Sequence, residues 1–183
     1  MYTSKKIYTE RDMKDNFINK QTISKDTGDM SREVKPFFVW DPSRALITSI
    51  RSYQNADQAM RCTKTIVKKW AILRHRFWSM VTGTDIPVTV SIGAGLLIPH
   101  PNGIIIHGDS SIGINCLIFQ QVTIGSRNGS APPIIGNNVD IGAGAKIIGS
   151  IKIGDYAKIG ANAVVLTDVP AQATAVGIPA KIL

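Results

Sequence analysis

From Ile86 onward an aliphatic residue returns every six positions: Ile86, Ile92 and Ile98, then Ile106, Ile112, Ile118 and Ile124, then Ile135, Ile141, Ile147, Ile153, Ile159 and Val165. Gly follows most of them, as in IGAG from Ile92 and IGDY from Ile153. A helix repeats at 3.6 residues and a plain strand at two, so a period of six reads as three alternations closed by a corner. Three such units make one coil, and stacked coils bury the repeated Ile inside. An antiparallel sandwich, with turns every 8–12 residues, seldom holds one phase for so long. Two places break the period: eight residues separate Ile98 from Ile106, and eleven separate Ile124 from Ile135. Both breaks are expected to be loops, where function concentrates.

The chain divides into three parts. Residues 1–35 are rich in Lys, Asp, Thr and Ser with few aliphatics, and are expected to form a flexible arm or loosely docked extension. Residues 36–84 read as helical. Asp41 can cap a first helix, Pro42 suits its first turn, and Leu46, Ile47 and Ile50 give an apolar stripe that ends near Tyr53. A second helix is expected from Asn55, with Gln58 three residues on, through Ile66, Trp70, Leu73 and Phe77 to Gly83. The repeat occupies residues 85–183.

The net charge of +8 belongs to the front of the chain. Residues 1–85 hold sixteen basic and nine acidic residues, against five and four in residues 86–183. The second helix carries Arg61, Lys64, Lys68, Lys69, Arg74 and Arg76, with no acid between Asp57 and Asp85. Such a helix is expected to pack on the first coil with its basic side solvated, or to meet an anionic membrane surface peripherally. No DNA- or RNA-binding motif accompanies the excess, so nucleic acid is not an expected partner. No run approaches a membrane span and the first residues are polar, which leads to the expectation of a cytoplasmic protein. Cys62 and Cys116 lie far apart and outside any Cys-x-x-Cys pair, as buried free thiols would.

Three histidines are present, and His100 stands out because it lies between Pro99 and Pro101 in the eight-residue break. An imidazole there can accept a proton near neutral pH, and a carboxylate beside it would fix its tautomer. Asp85, fifteen residues earlier and somewhat under one coil away, is the candidate carboxylate. From spacing alone a structural loop histidine fits as well.

The residues TGTDIP before the coils, the His100 loop with NGI behind it, QQVTIG, the run IGAGAKIIGSIKIGDYAKIGANAVVLTDVP and the closing VGIPAKI carry a resemblance. The chain resembles the hexapeptide-repeat acyltransferases, and within them the serine acetyltransferases and their relatives in capsule and exopolysaccharide gene sets. The resemblance covers all but the first 35 residues or so. It implies a mainly β fold, a left-handed parallel β-helix with a small N-terminal helical region, assembled as a homotrimer and moving an acetyl group from acetyl-CoA to a hydroxyl with no metal. It implies His100 as general base, Asp85 as its orienting carboxylate, and cofactor contacts at Ala143, Ala161, Thr167 and Lys181.

Two departures bear on the acceptor. Pro99 stands where the serine enzymes have Asp, and Ala131 and Pro132 stand in the loop SRNGSAPPII where they carry an Arg-His pair. A zwitterion needs paired charges to offset its desolvation. A saccharide hydroxyl is therefore the expected acceptor, with Asn102, Gln120, Gln121 and Arg127 as weak candidates to bind it and Asn128 beside them. Serine is the alternative acceptor. A zinc-dependent hydratase would need three His ligands, and a non-catalytic scaffold would not bind acetyl-CoA.

Overall fold

The computed structural model describes residues 27–35, 39–58 and 61–183. The repeat forms three parallel sheets that are the faces of a prism. The first stacks β1 (Ser91–Ile92), β3 (Ser111–Ile112), β6 (Ile134–Ile135) and β9 (Lys152–Ile153). The second stacks β4 (Leu117–Ile118), β7 (Asp140–Ile141), β10 (Lys158–Ile159) and β12 (Thr174–Val176), and β13 (Lys181–Ile182) closes it antiparallel. The third stacks β2 (Ile105–Ile106), β5 (Thr123–Gly125), β8 (Lys146–Ile148) and β11 (Val164–Val165).

Register explains the two breaks. Ile134 pairs with Lys152, a step of 18 residues (134 to 152), or three units of six. Ser91 pairs with Ser111, a step of 20, because the His100 unit is two residues longer. Ser111 pairs with Ile134, a step of 23, because the unit after Ile124 is five longer. Each insertion bulges at an edge and leaves the Ile columns aligned, with Ile112, Ile135 and Ile153 stacked in one face.

Outside the two insertions, each unit buries a second residue four places after its Ile: Leu96, Cys116, Val122, Val139, Ala145, Ala157 and Ala163 are all buried. Cys116 is therefore a core residue, and burial pushes its thiol up to about 11. Of Cys62 only the helical backbone is described. The Gly behind Ile141 is required by the next coil. A Cβ at Gly142 would lie 2.6 Å from the Ala161 amide nitrogen, far inside contact distance.

A stack of coils has an open end, and the first coil would leave backbone groups without partners. The helical region supplies them. In α1 (Pro42–Asn55), whose first turn is capped by Asp41 Oδ1 on the Arg44 amide, Leu46, Ile47 and Ile50 are buried in the same core as the coils. From α1, Gln54 donates to Val90 O (3.0 Å), Arg51 to Ile92 O and Gly93 O (2.6 Å each), and Ser43 to Ile98 O. From α2 (Arg61–Thr82), His75 Nε2 meets Ile86 O at 2.8 Å.

The extension is docked where it is described. A 3-10 turn, Met30–Glu33, places Glu33 Oε1 on the amides of Gly95 (2.7 Å) and Leu96 (3.1 Å). The same carboxylate holds Arg51 at 2.7 and 2.8 Å. Asn115 fixes the segment further, accepting from the Asp29 amide and donating to Thr27 O. Residues 1–26 lie outside the described residues.

The second helix differs from expectation in two ways. It begins at Arg61 rather than Asn55, after a separate 3-10 turn at Ala56–Gln58. There Asp57 binds Lys64 (2.7 Å) and Lys68 (2.9 Å), and these two ion pairs hold its carboxyl down at about 2. Its apolar stripe also faces outward: Ile66, Trp70, Leu73 and Phe77 are exposed, while Ala71, His75 and Thr82 are buried.

Candidate active site

His100 and Asp85 open the edge between the second and third sheets. Asp85 begins the third sheet, its amide donating to Ile104 O (2.8 Å) and its carbonyl accepting from Ile106 (2.9 Å). Its side chain is exposed. His100, also exposed, rides on the two-residue insertion. That loop is pinned behind it, where the Gly103 amide donates to Gly83 O (3.0 Å) and the Gln121 amide to Asn102 O (2.9 Å). Among the described residues no hydrogen bond joins Asp85 to His100, and neither side chain has another hydrogen-bond partner. The Asp85 carboxylate instead acts on His75, where its field raises a pKa that burial lowers more strongly.

The coils below extend the same edge. Gly144 donates to Gln120 O (2.9 Å) and Asn162 to Ala143 O (2.8 Å), so Asn102, Gln120, Ala143 and Ala161 occupy equivalent places in successive coils. Beneath the His100 loop runs a strip of small residues, Gly142–Ala143–Gly144 and Gly160–Ala161. An extended chain can approach backbone closely there. The Ala180 amide donates to Val164 O (2.8 Å), bringing the last strand and exposed Lys181 toward the far end of this edge.

Polar groups cluster by the loop. Gln121 Nε2 donates to Asn102 Oδ1 (2.7 Å), from a backbone held at φ 62°. Gln120 Oε1 is buried without a hydrogen-bond partner among the described residues. Lys146, absent from the sequence-based candidates, donates to Gln121 O (2.6 Å) and Thr123 Oγ1 (3.1 Å). Its signal was present in the outward position before Ile147, but nothing local distinguishes it from the solvated Lys152 and Lys158 at the same place in later units.

Other candidates fall elsewhere. Arg127 and Asn128 lie in the longer insertion, at the edge between the third and first sheets, as does Thr167 two coils on. That loop closes on itself through Ser130 and leaves the Arg127 guanidinium exposed. His107 is on this edge too, its Nδ1 accepting from the Asp109 amide at 3.2 Å. Among the described residues no three His, Cys, Asp or Glu side chains are grouped as a metal site.

Coils built from six-residue units, a histidine on the first insertion and a small-residue strip below it define a hexapeptide-repeat transferase fold. Residues 132–167 match the family model for the bacterial transferase hexapeptide (six repeats). The serine acetyltransferase of Helicobacter pylori (strain 26695) is 46% identical over 104 residues, 55% of this chain and 61% of that one. That of Synechococcus elongatus is 42% identical over 107 residues, 57% of this chain and 44% of that one. Soybean serine acetyltransferase complexed with serine superposes with a TM-score of 0.67 at 33% identity, over 84% of this chain and 65% of that one. A serine acetyltransferase in complex with CoA does so with a TM-score of 0.66 at 36% identity, over 79% and 58%.

The chain is similar to the serine acetyltransferases among the hexapeptide-repeat transferases and shares their left-handed β-helix fold. It spans about half the length of the curated relatives it matches. The saccharide acceptor expected from the loop is overturned, since relatives at 41 to 46% identity are serine acetyltransferases. The charges absent at Ala131 and Pro132 do not empty the long loop of charge. Arg127 keeps an exposed guanidinium in the same loop, with the chemistry to pair a carboxylate.

Proposed function

We propose that this chain transfers the acetyl group of acetyl-CoA to the hydroxyl of serine. The observation that carries the reading is the common edge of His100 and the small-residue strip through Ala143 and Ala161, in a fold whose relatives include structures with CoA and with serine. His100 takes the hydroxyl proton as the oxygen attacks the thioester carbonyl. The tetrahedral intermediate then collapses, the C–S bond breaks, and the imidazolium returns the proton to the leaving thiolate. Asp85 orients the ring once the acceptor closes the site. Pantetheine lies along the strip, with Lys181 toward a phosphate of the cofactor and Thr167 a more distant contact.

Acceptor contacts come from Asn102, Gln120, Gln121 and Arg127. In one chain the His100 edge and the Arg127 loop are separated by the whole third face, so a site using both is shared between subunits. The homotrimer implied by the resemblance meets that need. A cytoplasmic setting, where acetyl-CoA is made, is part of the same proposal.

The test is thiol release from acetyl-CoA with and without serine, in wild type and His100→Ala. Serine-dependent release that falls about a hundredfold or more in the variant is expected for loss of a general base. Undiminished turnover in His100→Ala removes the residue from the mechanism, and no serine-dependent release from wild type overturns the acceptor. Asp85→Asn is expected to lower kcat less than His100→Ala, with KM for acetyl-CoA unchanged.

A further inference from the structure

Helix α2 is inverted relative to an ordinary surface helix. Its large residues at spacings of four and three, Ile66, Trp70, Leu73, Phe77 and Met80, are 69, 65, 59, 51 and 77% exposed. The side facing the protein carries buried Ala71, His75 and Thr82 together with half-buried Trp78, which packs against the core. Trp40, 72% exposed and packed edge-on against Trp78, adds a further aromatic ring to this surface. A stripe of this size costs free energy in water unless something covers it.

The charges beside the stripe select the cover. Lys64 and Lys68 are tied to Asp57, and Arg74 donates to Ser52. Lys69 and Arg76 flank the stripe, exposed and without an ion-pair partner among the described residues. A second copy laid antiparallel would oppose cations to cations, because no acid lies between Asp57 and Asp85. Residues 1–26 hold six basic and four acidic residues, so their net charge is the same sign. Among the described residues no helix is long and apolar enough to cross a membrane. An amphipathic helix with an aromatic-rich apolar face and basic flanks lies in the plane of an anionic bilayer surface.

We propose that the outer face of α2 docks the protein on anionic lipid membranes, with Trp70, Leu73 and Phe77 in the headgroup boundary and Lys69 and Arg76 on lipid phosphates. This stands apart from the reading of the active site. The face the notional acceptor uses is at the coil edge, and the docking face is on the capping helix.

The experiment is co-sedimentation of the full chain with vesicles of phosphatidylcholine alone or with about one third phosphatidylserine, at low and high salt. Binding to the anionic vesicles only, weakened by salt and accompanied by a blue shift of tryptophan emission, is expected. Lys69→Gln with Arg76→Gln should weaken it about thirtyfold, since each surface cation contributes about a fivefold step. Trp70→Ser with Leu73→Ser should abolish it while melting temperature and thiol release stay as in wild type. Absence of binding, or equal binding to both vesicles, overturns the proposal. So does a serine double variant whose only change is a smaller oligomer in sedimentation velocity, which would assign the face to a second copy.

Discussion

The coils and helix α2 are both periodic and apolar, yet they use their large residues in opposite directions. In the coils every repeated Ile is buried, and the column is completed by copies of itself above and below. In α2 the stripe of Ile66, Trp70, Leu73, Phe77 and Met80 is exposed, while Ala71, His75, Thr82 and the half-buried Trp78 face the protein. A repeat contains its own partner and so specifies its own burial. A helical stripe specifies one apolar side without naming what it meets.

The sharpest way to break this contrast is at one residue type. Ile141 is fully buried in the middle of the second face, and Ile141→Ala removes its burial and leaves a cavity between coils. A loss of about 4 kcal/mol is expected in denaturant unfolding. A loss under about 1 kcal/mol would mean that the columns collapse around the gap and contribute little individually.

The next effect concerns the open end. Glu33 serves the Gly95 and Leu96 amides and both arms of Arg51, so Glu33→Ala strands two amides and half-buries an unpaired guanidinium. About 3 kcal/mol should be lost. Glu33→Gln keeps the acceptor and should lose less. An unchanged melting temperature in both would show that the docked turn is dispensable and that α1 closes the stack unaided.

The third effect is a pH dependence. Burial lowers the His75 pKa below its ordinary value, with the hydrogen bond to Ile86 O and the charge of Asp85 opposing. The unfolded chain therefore binds this proton first as pH falls. Stability is complete above about pH 6.5 and declines below it toward the lowered folded value, by at most about 1.4 kcal/mol per pH unit. Melting temperature should fall as the pH is lowered below about 6.5 in wild type, and this component should vanish in His75→Gln, which can still donate to Ile86 O. Asp85→Asn removes an opposing charge and should steepen the decline.

What was legible follows the same division. The coil period, both insertions and the edge position of His100 could be read because spacing alone fixes them. The docking of Glu33 could not, since its partners are 18 residues away at Arg51 and 62 away at Gly95, beyond any local pattern. The expected helix start at Asn55 rested on a capping box. The structure gives Asp57 to Lys64 and Lys68 instead, and regular helix waits until Arg61. Lys146 escaped notice because its role depends on the bent backbone of Gln121 in the coil above. The acceptor was misjudged because the inference ran from residues that are missing rather than from those present.

The smallest effect is the most direct test of the inverted helix. Leu73 is 59% exposed at the centre of the α2 stripe, so Leu73→Ser removes little packing from the folded chain. Its cost in unfolding should lie within about 0.5 kcal/mol, the range of ordinary surface substitutions, despite the lower helix propensity of Ser. The contrast with Ile141→Ala is then roughly eightfold in free energy, for two aliphatic side chains in periodic rows. A loss of about 2 kcal/mol or more would mean that Leu73 is buried in the protein as it exists in solution. Concentration dependence then locates the cover: a loss that grows on dilution points to a second copy, and one that does not points to the chain's own N-terminal residues.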